Sequence, residues 1–196
     1  MINGNKVRLC DKNLTNAVND YAWRIDSELA RLDAAPLLNI SFTEYLPNYA
    51  SELHHPPPAK QQFAILTLNG KHIGNCTYYD INESKDEAEL GLMIGNRNYW
   101  SKGYGTDAVI TLVSYIFDKT NLKRIYLKTL KSNQRAQKCF NKCGFTPYEH
   151  RSSNGPSFVF MELYRTKWQQ NKDKTITNPR KNSQSVSHLK NAGKEI

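Results

Sequence analysis

The spacing of hydrophobic positions changes several times along the chain, and each change marks an element. Residues 6–10 alternate apolar and polar side chains, as a half-buried strand does. From residue 14 to 32, Ala17, Val18, Tyr21, Ala22, Ile25 and Leu29 recur at helical spacing, and Ala34-Ala35-Pro36 breaks the pattern. A second short helix is expected over residues 43–53, with Pro47 near its first turn. Two apolar runs, 63–68 and 72–79, flank Asn69-Gly70, a pair that favours a two-residue hairpin turn. Another turn at 82–85 leads into a third antiparallel strand over 87–94.

The pattern then becomes helix (105–117), strand (124–130), helix (134–142) and strand from Phe145. Strand, helix, strand implies a parallel crossover. A last apolar strand, 158–163, follows the turn SSNGP and is expected to form a hairpin with the strand after Phe145. The fold class is α+β, a mixed and mostly antiparallel sheet with flanking helices. Periodicity stops after Trp168, which divides the chain into a globular domain over 1–168 and a basic, solvated and mobile tail over 169–196.

Composition narrows the partners. The chain has 196 residues, 39% hydrophobic and 11% aromatic, enough for one core. Its formal charge is +9, of which the tail, with six Lys or Arg against Asp173 and Glu195, carries +4. The globular part is therefore only mildly basic, and nucleic acid is expected as a partner only through the tail. The first residues, MINGNKVRLC, lack the apolar stretch of a signal peptide, and no apolar run approaches the about 18 residues of a membrane helix, so a cytoplasmic protein with no membrane partner is expected. Cys139 and Cys143 are four apart without a nearby His, and read as core thiols on a helix; no metal site is expected.

The stretch NYWSKGYGTDAV (98–109) carries the chemistry. A glycine loop opening a helix presents unpaired backbone N–H groups and the positive end of the helix dipole, which together bind phosphate. GYGTDA also fits a dinucleotide pattern, but eight residues separate Ile94 from Gly103, and the next strand, RIYLKTL, offers no acid for a ribose. The P-loop pattern is absent.

AELGLMIGNRNYWSKGYGTDAV followed by LKTLKSNQRAQKCFNKCGF resembles the core of the GNAT superfamily of acetyl-CoA-dependent N-acetyltransferases, in the branch with the ribosomal-protein alanine and spermidine acetyltransferases. The resemblance covers most of residues 7–168 and implies the GNAT fold, with a splayed parallel strand pair. It implies that the backbone of Ser101, Lys102, Gly103, Tyr104, Gly105 and Thr106 grips the pyrophosphate of acetyl-CoA, with the Lys102 charge nearby. It also places the pantetheine arm along Leu92, Met93 and Ile94, paired with the main chain of Leu92 and Ile94, and brings Asn133 and Phe140 to the cofactor. Asn133 can also simply cap its helix. Trp100 stands where the family has Gln or Arg, and Phe140 where many relatives have the Tyr that protonates the leaving thiolate.

Acetyl transfer to a primary amine needs a base to take the ammonium proton. Glu89 is the candidate, fourteen residues before Gly103, an offset that histone-type members share; Glu87 is the neighbouring alternative. A carboxylate that only orients the acceptor is the competing role. The resemblance assigns acceptor binding to the first helices and last hairpin, which offer Trp23, Asp26, Glu28, Asp33, Glu44 and Tyr45; these carboxylates could equally be a solvated helix face. The expected function is transfer of acetyl from acetyl-CoA to a primary amine, of a small molecule or of a peptide, by direct attack in a ternary complex in a monomer or homodimer. The alternative is a catalytically weak acyl-CoA sensor.

Overall fold

A computed structural model describes residues 1–152 and 155–177. Its first strands, β1 (Ile2–Asn3) and β2 (Val7–Asp11), pair antiparallel, and β2 pairs in turn with β3 (Lys60–Thr67). β3, β4 (His72–Asn82) and β5 (Glu87–Met93) form the expected meander. The Asn69-Gly70 hairpin differs in its loop. The Thr67 carbonyl accepts the Gly70 N–H and the Thr67 N–H donates to the Lys71 carbonyl, both at 2.9 Å, which leaves three residues in the turn instead of two. Gly70, at φ +83, supplies the left-handed residue that closes such a turn with a bulge.

The single helix expected over 14–32 is two, α1 (Ala17–Arg24) and α2 (Ser27–Asp33). Asp26 makes the break: its backbone is extended, and its carboxylate accepts the N–H groups of Glu28 and Leu29 at 3.0 Å each. An N-cap of this strength starts a new helix whatever the apolar spacing suggests. The change of axis buries Leu29 and leaves Val18 and Ile25, counted toward one apolar face, 62% and 43% exposed. In α3 (Phe42–His54) Pro47 sits in the second turn, while Ser41 and Glu44 form a capping box at the start.

The remaining elements are α4 (Tyr104–Lys119), β6 (Arg124–Leu130), α5 (Gln134–Lys142), β7 (Thr146–Arg151), β8 (Phe158–Tyr164) and α6 (Arg165–Thr177). Helix α6 carries residues 169–177 of the segment assigned to the tail. The remainder of that tail, 178–196, and residues 153–154 of the SSNGP turn lie outside the described residues. The sheet runs β1-β2-β3-β4-β5-β6-β8-β7. Val109, Leu112 and Ile116 of α4 pack against Val7, Ile65, Ile73 and Leu127 as one fully buried core. No helix among the described residues is long and apolar enough to cross a membrane.

Two features position the site. β5 and β6 are parallel, and their pairing stops at Glu89 opposite Tyr126, while β6 stays paired with β8 as far as Leu130 opposite Phe158. The two central strands therefore part beyond Glu89. Away from this fork, a buried polar network ties the first helices to the sheet. Asp20 of α1 accepts the Tyr49 hydroxyl at 2.8 Å and the Asn75 amide at 2.6 Å, and pairs with the Lys12 ammonium at 2.6 Å. His72 lies 4.0 Å from the same carboxylate, and burial pulls its imidazole below its usual range.

Candidate functional site

Where β5 and β6 part, a cavity of about 460 Å³ opens between the strand end, the loop into α4, and helices α2 and α5. Eight of the expected residues meet there: Leu92, Met93 and Ile94 on one wall, Ser101, Gly103, Gly105 and Thr106 across the loop, and Asn133 at the start of α5. Leu29, Leu32 and Asp33 of α2 close the opposite side. The loop owes its shape to two left-handed residues, Ser101 at φ 57 and Gly103 at φ +86. Gly103 caps α4 without a side chain, and the first helical hydrogen bond is donated by Asp107 to the Gly103 carbonyl at 3.0 Å. The N–H groups of the preceding residues, Tyr104, Gly105 and Thr106, thus have no partner within the helix. Asn133 caps its helix, its side chain accepting the Ala136 N–H at 3.1 Å, and it also lines the cavity.

Three further residues of the expected set are not among those lining the cavity, and their side chains are engaged elsewhere. Lys102 is exposed, and its carbonyl accepts the Lys6 ammonium at 3.0 Å. Tyr104 turns edge-on to Tyr99, ring centroids 4.9 Å apart, and packs against the core. Phe140 is buried against Phe145, because α5 points Phe140 and Cys143 inward while Ala136 and Cys139 face the cavity. The main chain is also less free than expected: the Trp100 indole donates to the Ile94 carbonyl at 2.5 Å. The Arg135 guanidinium lies 3.4 Å from the centre of the same indole, a cation–π contact that pins the loop to α5.

Several participants carry no motif. Arg135, Lys138 and Lys142 bring three cations along α5 to the cavity wall, and helical spacing of basic residues was the available signal. Asp107, in the first turn of α4, accepts the backbone N–H groups of Asn5, Lys6 and Val7 at 2.7 to 3.1 Å, so the N-terminal hairpin holds the loop from behind.

Glu89 is the last residue of β5 paired with β6, at the fork, 6% exposed and outside the cavity wall. Tyr79 donates its hydroxyl to Glu89 Oε1 at 2.6 Å, and Lys128 Nζ stands 3.5 Å from the same oxygen. Burial and then that hydrogen bond push the Tyr79 phenol up, so it stays a donor. Glu87 is engaged instead by Arg124 at 2.5 Å, as is Glu162 at 2.8 Å. The polar residues proposed for the first helices are mostly spent on structure. Asp26 and Glu28 hold Arg97 at 2.8 Å each, Glu44 caps α3, and Tyr45 packs between Tyr21 and Tyr49. Trp23 is buried beside His72, and Asp33 alone of this group faces the cavity.

Cys139 lies at the cavity wall, not in the core as the spacing of cysteines suggested. A hydrogen bond from the Cys143 thiol, assisted by Thr106 Oγ1 at 3.5 Å, outweighs desolvation and lowers the Cys139 thiol below its usual range. Burial pushes the Cys76 thiol up. Cys139 is therefore expected to react with iodoacetamide before Cys76 and Cys143, with a rate that rises at lower pH than for an ordinary thiol, and a ligand filling the cavity is expected to protect it. Peptide mapping after brief alkylation tests this; equal labelling of the three thiols, or no protection, would show that Cys139 is not at the cavity.

Residues 13–146 match the family described as Acetyltransferase (GNAT) domain. Among curated relatives, the chain is 28% identical over 121 residues to the uncharacterized N-acetyltransferase p20 of Bacillus licheniformis, covering 61% of this chain and 67% of that protein. It is 29% identical over 139 residues to the aminoglycoside N(6')-acetyltransferase type 1 of Klebsiella pneumoniae, covering 64% of this chain and 66% of that protein. Among solved structures, it resembles the spermidine N-acetyltransferase of Vibrio cholerae in complex with CoA and spermine, with a TM-score of 0.73 at 20% identity over 84% of this chain and 98% of the other. An aminoglycoside acetyltransferase, AAC(6')-Ib, in complex with coenzyme A gives a TM-score of 0.70 at 19% identity over 85% and 99%.

Proposed function

The chain belongs to the GNAT acetyltransferase family, and from that premise we propose that it acetylates the primary amine of a small cationic molecule, using acetyl-CoA in a direct ternary complex with Glu89 as base. The observation that carries the reading is the parting of β5 from β6 directly beside a cavity walled by a glycine loop, a helix start and three cations. Acetyl-CoA brings a polyanionic end, an extended amide arm and a reactive thioester, and these residues suit each part in turn. The free N–H groups of the first turn of α4, with Arg135, Lys138 and Lys142, suit phosphates. The unpaired edge of β5 at Leu92 and Met93 suits the amide arm.

Glu89 then stands at the inner end of the gap, on the sheet face shared with Tyr79 and Lys128. A carboxylate there takes the ammonium proton once the acceptor is within hydrogen-bond reach. The small-amine acceptor is favoured because the similar proteins are named for aminoglycosides and spermidine. Asp33, at the cavity mouth, is the acidic side chain left to meet a second cationic group.

The test is thermal stability followed by an amine panel. Acetyl-CoA at a hundred times its Kd is expected to stabilise the chain by about 2.7 kcal/mol. NAD and ATP at the same concentration are expected to do far less, since neither has an arm for the gap. Thiol release over a panel of aminoglycosides, polyamines and N-terminal peptides then identifies the acceptor. Equal stabilisation by all three nucleotides would reduce the cavity to a nonspecific anion site.

A further inference from the structure

Among the described residues, one ammonium lies in ion-pair range of Glu89, and it belongs to the chain itself: Lys128 Nζ, 3.5 Å from Oε1. The sheet register puts it there. Tyr126 is the last partner of Glu89, and Lys128 follows two residues later on the same face of β6, on the edge of the gap that opens beyond the fork. Its side chain is 48% exposed, so it is neither locked in the core nor shielded from the opening. This is the geometry that an acceptor amine has to reach, with a nitrogen beside the base and at the mouth of the gap that suits the thioester arm.

We propose that Lys128 is an internal acetyl acceptor, and that the protein acetylates its own Lys128 Nζ from acetyl-CoA. The inference rests on the reading of Glu89 as base and of the β5–β6 gap as the acetyl-CoA site. In the step, Glu89 takes one proton from the Lys128 ammonium, and the neutral amine attacks the thioester carbonyl carbon. An N–C bond forms, the C–S bond breaks, the leaving thiolate takes one of the two protons to give free coenzyme A, and the other passes from Glu89 to solvent. The product is a neutral amide, so the ion pair with Glu89 is lost and the carboxylate becomes free to receive a cationic acceptor. Modification of Lys128 and turnover of external amines are linked through this one carboxylate.

The experiment incubates the purified full chain with acetyl-CoA without added amine and follows intact mass and peptide maps. The expected result is one acetyl group per chain, on Lys128, appearing with a rate constant independent of protein concentration. Exposed Lys131, three positions along the chain, serves as the internal control, and its acetylation is expected to be slower by about 10² or more, as is that of Lys128 in Glu89→Gln. Lys128→Arg should remove the modification. Acetylation spread evenly over exposed lysines, or a Lys128 rate constant that rises with protein concentration, would overturn the proposal. An unmodified Lys128 in protein that acetylates members of the amine panel would overturn it while leaving the proposed function intact. Failure of acetyl-CoA to stabilise the chain, together with no turnover of any amine, would remove the reading beneath it.

Discussion

Glu89→Gln is expected to lower kcat for the favoured amine by about 10² to 10⁴ while leaving acetyl-CoA binding in place. The side chains have the same shape, and the Gln carbonyl can still accept the Tyr79 hydroxyl, which donates to Oε1 at 2.6 Å. What disappears is the carboxylate's capacity to take a proton. The ion pair with Lys128 also goes, but at 3.5 Å to a half-exposed ammonium its contribution to stability is small. The cavity that suits acetyl-CoA is walled by other residues, so its thermal shift should survive. With the carboxylate removed, deprotonation falls to water or hydroxide, and the ascending limb of the kcat profile should move toward the acceptor's own ionisation. A variant within a few fold of the parent with the same limb would make Glu89 a bystander. Loss of the acetyl-CoA shift would make its role structural.

Asp20→Ala is expected to have the largest effect on stability. The carboxylate, 4% exposed, holds Lys12 at 2.6 Å, Tyr49 at 2.8 Å and Asn75 at 2.6 Å, and the Lys12 side chain is itself only 10% exposed. Removing the anion leaves a nearly buried ammonium and two polar groups without their partner. Breaking a buried pair on one side costs about 3 to 5 kcal/mol. For a domain of this size that lowers Tm by on the order of 6 to 20 °C. The network joins α1, α3 and β4, so the loss falls on the lobe that packs over the sheet beside the candidate site. Thermal unfolding of the variant checks this, and Lys12→Met in the same background should recover part of the loss by removing the stranded charge. A shift below a couple of degrees for Asp20→Ala would mean that the network is solvated.

Much of the scaffold was legible from local pattern. The strand over 124–130 and the helix over 134–142 have the bounds that periodicity predicts, because each is a short amphipathic run with clear punctuation. The loop from Trp100 to Thr106 was legible for a different reason: left-handed backbone and close approach demand glycine, and glycine shows in a sequence. Misreadings came where one side chain overruled a period. Asp26 cut a helix that apolar spacing joined, and an extra residue converted the Asn-Gly turn into a three-residue loop. The Asp26 cap was in principle visible, since Asp followed by Ser-Glu is a helix-start signal.

The sequence by itself determined the fold family, the order of elements from the meander to the last hairpin and the residues of the glycine loop, because these follow from contacts a few positions apart and from backbone conformations that few residues adopt. Tertiary structure alone decided how the polar side chains are used. Asp26, Glu28 and Glu44, equal candidates as letters, are consumed by Arg97 and by helix caps, whereas Glu89 is left at the fork. Asp107 looked like part of the loop motif and proved to anchor the first hairpin, about 100 positions away along the chain. Lys128 meets Glu89 only because β5 and β6 stop pairing at Glu89 and Tyr126. Strand register is a property of the assembled sheet, set by which faces are buried together, and no local pattern in either strand encodes its partner.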